Sequence, residues 1–176
     1  MIVQSSNAVY WITGLSGAGK TTLCRRLVAH LRASERPVVM LDGDELRAIL
    51  GAEDLHTVEQ RRQLAMCYAR LCRSIAAQGM DVAIATISLF REVHEWNRNN
   101  IPGYVEIYLQ VPKEELLRRD PKKIYQRAAR DDLQHVAGFD VAVDEPQAPD
   151  VRIDWLAGMT EADTLAQVIE QLNLKL

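Results

Sequence analysis

Val9-Tyr10-Trp11-Ile12-Thr13-Gly14-Leu15-Ser16-Gly17-Ala18-Gly19-Lys20-Thr21-Thr22 is a short uncharged run, then a glycine-rich turn, then a lysine and two threonines. Val9 to Thr13 reads as a strand, and beyond Lys20 the residues Leu23, Leu27 and Leu31 fall at helical spacing. Between them, Gly14 to Thr21 matches G-x-x-x-x-G-K-[ST] in the strand-loop-helix context that its chemistry requires. Glycines let backbone N–H groups wrap a phosphate chain, and the helix N-terminus adds a favourable dipole. Lys20 is then expected at the β- and γ-phosphates of ATP and Thr21 on Mg²⁺, with Gly14, Leu15, Ser16, Gly17, Ala18, Gly19 and Thr22 completing the cradle. An ordinary glycine-rich connection would have no need of Lys-Thr in this register.

Working outward, Val38 to Leu41 is apolar on both faces, as in a buried parallel strand, and ends at Asp42-Gly43-Asp44. Thr57 with Gln60 forms a capping box that opens a helix to about Gln78, with Leu64, Cys67, Tyr68, Leu71 and Ile75 on one face. A third strand is predicted over Val82–Ile87, a helix over Arg91–Asn100, a fourth strand over Tyr104–Val111 and a fifth over Val151–Trp155. Thr160 with Asp163 caps a last helix that turns Leu165, Val168, Ile169 and Leu172 inward. This alternation predicts an α/β, three-layer P-loop NTPase fold with a mostly parallel five-stranded sheet, its ligands at the carboxyl ends of the strands. Residues 1–176 read as one domain, with a charged mobile lid at about 118–135 and a loop covering the acceptor at about 136–150.

The chain has 176 residues, 48% of them hydrophobic, and a formal net charge of −3. That balance offers no global field for a nucleic acid polymer or an anionic membrane, so an anionic ligand must be held by locally placed groups. Met1 to Asn7 lacks the layout of a signal peptide and no apolar run reaches the ~20 residues that cross a bilayer, so the cytoplasm is expected. Cys24, Cys67 and Cys72 show no metal-ligand pairing and read as reduced helix residues.

The acceptor of the phosphoryl group is sought at the same sheet edge. Asp42 and Asp44 follow the second strand, where one carboxylate can take up the proton of an attacking hydroxyl while the other holds a Mg²⁺-bound water or a ligand group. A plain Asp-Gly turn is the alternative. Arg47, one turn further, either binds an anionic acceptor group or pairs with Glu53. Ser88, Phe90 and Arg91 bring a hydroxyl, an aromatic face and a guanidinium to the end of the third strand, unless they only start a solvated helix. Arg118, Arg119, Lys122, Lys123, Arg127 and Arg130 resemble the cover of a small-molecule kinase, of which two or three should touch nucleotide.

Four ordered stretches together resemble the adenylylsulfate (APS) kinase family over nearly the whole chain, from Val9 to about Asp154. They are GLSGAGKTT from Gly14, LDGDELR from Leu41, ISLFR from Ile87 and RDPKKIY from Arg119. The resemblance implies an ATP- and Mg²⁺-dependent, homodimeric kinase that phosphorylates the 3′-hydroxyl of a nucleotide's ribose. It implies Asp42 and Asp44 as the acceptor-activating pair, Arg47 and Arg91 near the acceptor's anion, Ser88 beside it, and Lys122 in the cover.

The departures gather on the acceptor side. Family members carry D-L-G-F-S, whose Phe stacks on adenine, where this chain has Asp54-Leu55-His56-Thr57, and N-I-R-R, whose Arg binds phosphosulfate, where it has Leu64-Ala65-Met66-Cys67. The family's second clamping Phe corresponds to Val136, with Phe139 as a shifted substitute, and His94 stands near where an Arg is common. Base stacking is worth ~1–3 kcal/mol and a charge-assisted anion contact a similar amount. Three readings follow: an APS kinase compensated by His56, Phe90 or Phe139; a 3′-hydroxyl kinase for another nucleotide such as cytidine diphosphoramidate; and a nucleotide-binding regulatory module without turnover.

Overall fold

The computed structural model describes residues 7–55, 57–120, 123–130 and 136–174. Its centre is strand β1 (Val9–Thr13), buried along its whole length. Period-two alternation sends Val9 and Trp11 into one hydrophobic cluster and Tyr10 and Ile12 into another on the opposite face. That division requires cover on both sides of the sheet. Helix α1 (Lys20–Ala33) covers one side with Leu23, Leu27 and Leu31, joined by Val168 of α7 (Glu161–Gln171). Helices α3 (Val58–Ala76) and α4 (Arg91–Asn100) cover the other with Leu64, Tyr68 and Val93.

Strands β2 (Val38–Asp42), β3 (Asp81–Ala85), β4 (Tyr104–Gln110) and β5 (Val151–Asp154) complete a sheet of order β2-β3-β1-β4-β5 in which every pairing is parallel. The short helices α2 (Gly43–Ile49), α5 (Lys113–Arg119) and α6 (Ile124–Ala128) follow β2 and β4. Since all strands run one way, their carboxyl ends gather the loops after β1, β2 and β3 at one edge, with β1 in the middle.

Two expectations change. The apolar run of β2 is an edge strand, mostly half-buried, because α1 and α2 cover it only in part. On α3 the buried stripe is Leu64, Ala65, Tyr68, Ala69 and Cys72, while Cys67 and Leu71 are exposed. Small residues at 65, 69 and 72 allow the helix close to the sheet, and that rotates the larger pair outward. Both predicted capping boxes form, at Thr57 with Gln60 and at Thr160 with Asp163.

The opposite, amino-terminal end of the sheet is closed by a polar clamp. Asp81, with 3% of its side chain exposed, accepts from Ala8 N at 2.8 Å and pairs with Arg36 Nε at 2.7 Å, while Arg36 Nη1 donates to the Tyr10 hydroxyl at 3.0 Å. Removing the carboxylate leaves a half-buried N–H and a cation without this acceptor. Asp81→Ala is expected to lower unfolding free energy by on the order of 2–3 kcal/mol in urea titrations. The loss is moderated because about a third of the Arg36 side chain (35%) reaches water.

Candidate active site

The phosphate loop is shaped by close approaches that only glycine permits. A Cβ on Gly14 would stand 2.6 Å from Leu109 O, and Gly19, at φ 96°, ends the loop in the left-handed region as the N-cap of α1. Gly19 supplies no side-chain cap, so the first-turn N–H groups of α1 are left for a ligand. Lys20 Nζ donates to Leu15 O at 2.8 Å, which holds the ammonium over the loop. The cleft wall, enclosing about 640 Å³, begins at Ser16 and includes every residue to Leu23. Gly14 and Leu15 lie behind it: Gly14 packs on Leu109 and Leu15 on Gly138.

The aspartate pair opens into the same cleft. Thr21 Oγ1 donates to Asp42 Oδ2 at 2.7 Å, and Asp42 Oδ1 accepts from Asp44 N at 2.9 Å, capping α2. Asp42-Gly43-Asp44 is therefore an Asp-Gly helix start whose first carboxylate is turned onto the threonine of the phosphate loop. Gly43 is wedged in place, since its carbonyl accepts from the Tyr68 hydroxyl at 3.0 Å and an added Cβ would stand 3.1 Å from Thr86 Oγ1. The exposed Asp44 also lines the cleft. Thr21 and Asp42 form a pair of hard oxygens of the kind Mg²⁺ accepts, and no group of three or more His, Cys, Asp or Glu suited to a metal occurs among the described residues. A cation here would depend on phosphate oxygens and water for the rest of its shell, as Mg²⁺ with nucleotides does.

The third strand's end supplies Thr86 to Phe90. The Thr86 and Ser88 hydroxyls lie 2.7 Å apart, and His94 Nε2 donates to Ser88 O at 3.0 Å. Phe90 lines the cleft, whereas Arg91 is exposed outside it, its backbone N–H donating to Asp144 Oδ2 at 3.1 Å. Arg47 is in the cleft and donates to Leu55 O at 2.7 Å and Glu53 O at 3.4 Å, so it braces the 52–55 loop through main-chain carbonyls. Phe139 lies outside the cleft, 6.4 Å from the Tyr125 ring and 5.2 Å from Lys113 Nζ. His56 and Lys122 lie outside the described residues.

Arg61 and Trp155 are among the cleft residues that the sequence reading does not reach. Arg61 lies on α3 at three and seven residues before the inward-facing Leu64 and Tyr68, a spacing that marks it as cleft-facing. Burial, and then the like charge of Arg47, lower its pKa, with Asp140 acting the other way. Trp155, just past β5, lies under the Arg119 guanidinium, 5.0 Å from its ring centroid. Arg119 in turn donates to Gly17 O at 3.2 Å, and the Tyr125 hydroxyl to Ser16 O at 3.0 Å, so the segment after β4 is tied to the phosphate loop at two points. An aromatic at a strand's carboxyl end was the available signal for Trp155.

Comparison with known proteins points to one family. The sequence model of the Adenylylsulphate kinase family matches residues 6–154. A cytidine diphosphoramidate kinase from Campylobacter jejuni is 37% identical over 146 residues, covering 83% of this chain and 85% of that protein. An adenylyl-sulfate kinase from Myxococcus xanthus is 38% identical over 174 residues, 97% of this chain and 93% of that one. The APS kinase of Mycobacterium tuberculosis, solved in complex with AMPPNP and APS, superposes with a TM-score of 0.86 at 26% identity, covering 96% of this chain and 98% of its own.

His94 gives the fold an acid sensitivity. It is 8% exposed, and burial lowers its pKa below the usual value of 6.5, against the pull of Glu106, the Ser88 carbonyl and Asp144 and with the help of Arg98. The unfolded chain thus takes up a proton in a range where folded His94 stays neutral. Its contribution to stability is complete above about pH 6.5 and is lost as pH falls through the folded value. Urea midpoints measured between about pH 7 and pH 5 should therefore fall less steeply for His94→Gln than for the native chain.

Proposed function

The chain belongs to the adenylylsulphate kinase family, and from that premise we propose that it transfers the terminal phosphoryl group of Mg²⁺-ATP to the 3′-hydroxyl of a 5′-substituted nucleotide, with adenylyl sulfate as acceptor. The observation that carries this reading is the 2.7 Å hydrogen bond between Thr21 and Asp42, which makes the phosphate cradle and the acceptor carboxylates one continuous surface. Lys20 and the first-turn N–H groups of α1 meet the charge that develops on the phosphoryl oxygens. Thr21 would hold Mg²⁺ with Asp42 behind it, and the cation would supply charge neutralisation between the phosphates.

Both oxygens of Asp42 are engaged, one by the Thr21 hydroxyl and one by Asp44 N. The exposed Asp44 lines the cleft, and in this reading it orients the incoming hydroxyl and takes its proton. Arg47 and Arg61 bring two like charges to the acceptor end, an arrangement that an anionic group on the acceptor relieves. Arg61 thus stands in for the arginine absent at Leu64-Ala65-Met66-Cys67. The lid at about 118–135 and the loop at about 136–150 close over the two nucleotides, with Arg119 and Tyr125 as the lid's ties to the phosphate loop. A single catalytic domain, a homodimeric state and a cytoplasmic setting complete this reading.

A second acceptor, cytidine diphosphoramidate, is favoured by the C. jejuni relative and by the acceptor wall, where Val58 and Leu64 are aliphatic. A pyrimidine needs less stacking surface than a purine.

A coupled ADP-release assay over adenylyl sulfate, cytidine diphosphoramidate and common nucleotides separates the two. One acceptor is expected to exceed the others by at least roughly a hundredfold in kcat/KM. Lys20→Ala is expected to lower kcat by about 10²–10³-fold, at an unchanged melting temperature, because Lys20 meets transition-state charge and not the core. ATP binding without turnover of any acceptor would remove the kinase reading.

A further inference from the structure

Ser88 holds a backbone conformation that a serine rarely adopts, with φ at +30°. Such a residue persists only where its surroundings fix it. Its hydroxyl is engaged with Thr86 Oγ1 at 2.7 Å, and its carbonyl accepts from Phe90 N and from His94 Nε2, both at 3.0 Å. A carbonyl only accepts, so Nε2 of His94 carries the hydrogen. Nδ1 of that ring stands 3.9 Å from Glu106 Oε1, beyond hydrogen-bond distance, while the Tyr104 hydroxyl donates to the same oxygen at 2.9 Å and Arg98 pairs with Oε2 at 3.4 Å. His94 is thus packed between a buried polar group under β4 and the end of β3, and it does not itself line the cleft.

What lies beyond Ser88 gives this contact its meaning. Thr86, the hydroxyl partner of Ser88, is the group against which Gly43 packs, and Gly43 joins the two aspartates. An unbroken line of contacts therefore runs from His94 through the Ser88 carbonyl, the Ser88–Thr86 hydroxyl pair and Gly43 to Asp42 and Asp44. We propose that His94 is a positioning residue for the acceptor-activating aspartates, acting through Ser88 and Thr86. The role rests on the kinase reading above and adds to it a residue outside the cleft. It predicts a defect weighted toward turnover, since the phosphate loop takes its shape at Gly14 and Gly19 and is joined to the aspartates through the Thr21–Asp42 bond.

The test compares the native chain, His94→Ala and His94→Gln, the last of which retains a donor near the position of Nε2. Turnover is measured with whichever of adenylyl sulfate, cytidine diphosphoramidate or a common nucleotide the native chain phosphorylates, and donor binding with a fluorescent mant-ATP probe. His94→Ala is expected to lower kcat by roughly ten- to a hundredfold. The mant-ATP Kd should stay within about twofold, and His94→Gln should recover kcat to within about threefold of native. Should His94→Ala fail to fold, His94→Leu, which fills the volume without a donor, replaces it in the same comparison. An unchanged kcat overturns the proposal, as does a parallel loss of mant-ATP binding, or a His94→Gln that melts like the native chain yet shows no recovery. A native chain that binds mant-ATP and phosphorylates neither of these acceptors nor a common nucleotide overturns the kinase reading first, and the role of His94 with it.

Discussion

One hydrogen bond, from Thr21 Oγ1 to Asp42 Oδ2, couples the two halves of this molecule. Thr21 belongs to the first turn of α1, and Asp42 ends β2, two strands away from β1 across the sheet. Neither group can move far without the other, because Thr21 is fixed by the helix and Asp42 spends its second oxygen on capping α2. Placing the donor's phosphates thereby also places the start of α2, and with it Asp44 and Arg47. A fold in which β2 paired one residue out of register would turn Asp42 to the other face of the sheet and separate these halves.

Much of the architecture was legible because the signals were local. Lys20 to Leu31 gave a helix through its leucines, Thr57 with Gln60 and Thr160 with Asp163 marked helix starts, and the observed caps follow those residues. β1 and β4 are found close to the spans read from apolar runs. What local patterns do not encode is lateral position. The apolar residues of β2 read as a buried strand, yet its place at the edge depends on strand order, a long-range property. The face of α3 was likewise misjudged between Cys67 and Cys72, because Ala65 and Ala69 contribute little hydrophobic signal although they decide how near the helix can come.

The phosphate loop can be read from contiguous residues, whereas the opposite wall of the cleft is assembled from side chains far apart in sequence. Arg61 lies outside the Leu64-Ala65-Met66-Cys67 stretch that aligns with the family's arginines, yet it shares its helical face with Leu64 and Tyr68. Arg91 looked like a ligand group from its place after β3, but it is the first residue of α4, and its side chain leaves the cleft. Phe139 packs with Lys113 and Tyr125, so Phe90 is the phenylalanine that lines the cleft. In each case the deciding quantity was the direction of a side chain at an element's end, which spacing alone leaves open.

The outward turn of Cys67 has a practical corollary. Burial pushes the Cys24 and Cys72 thiols up to about 12, which keeps both in the protonated, unreactive form at neutral pH. Cys67 is the single exposed thiol in the molecule and sits on the back of the helix that carries Arg61. A maleimide dye would attach there alone, without engineering, and would follow that helix during turnover from the side away from the nucleotides.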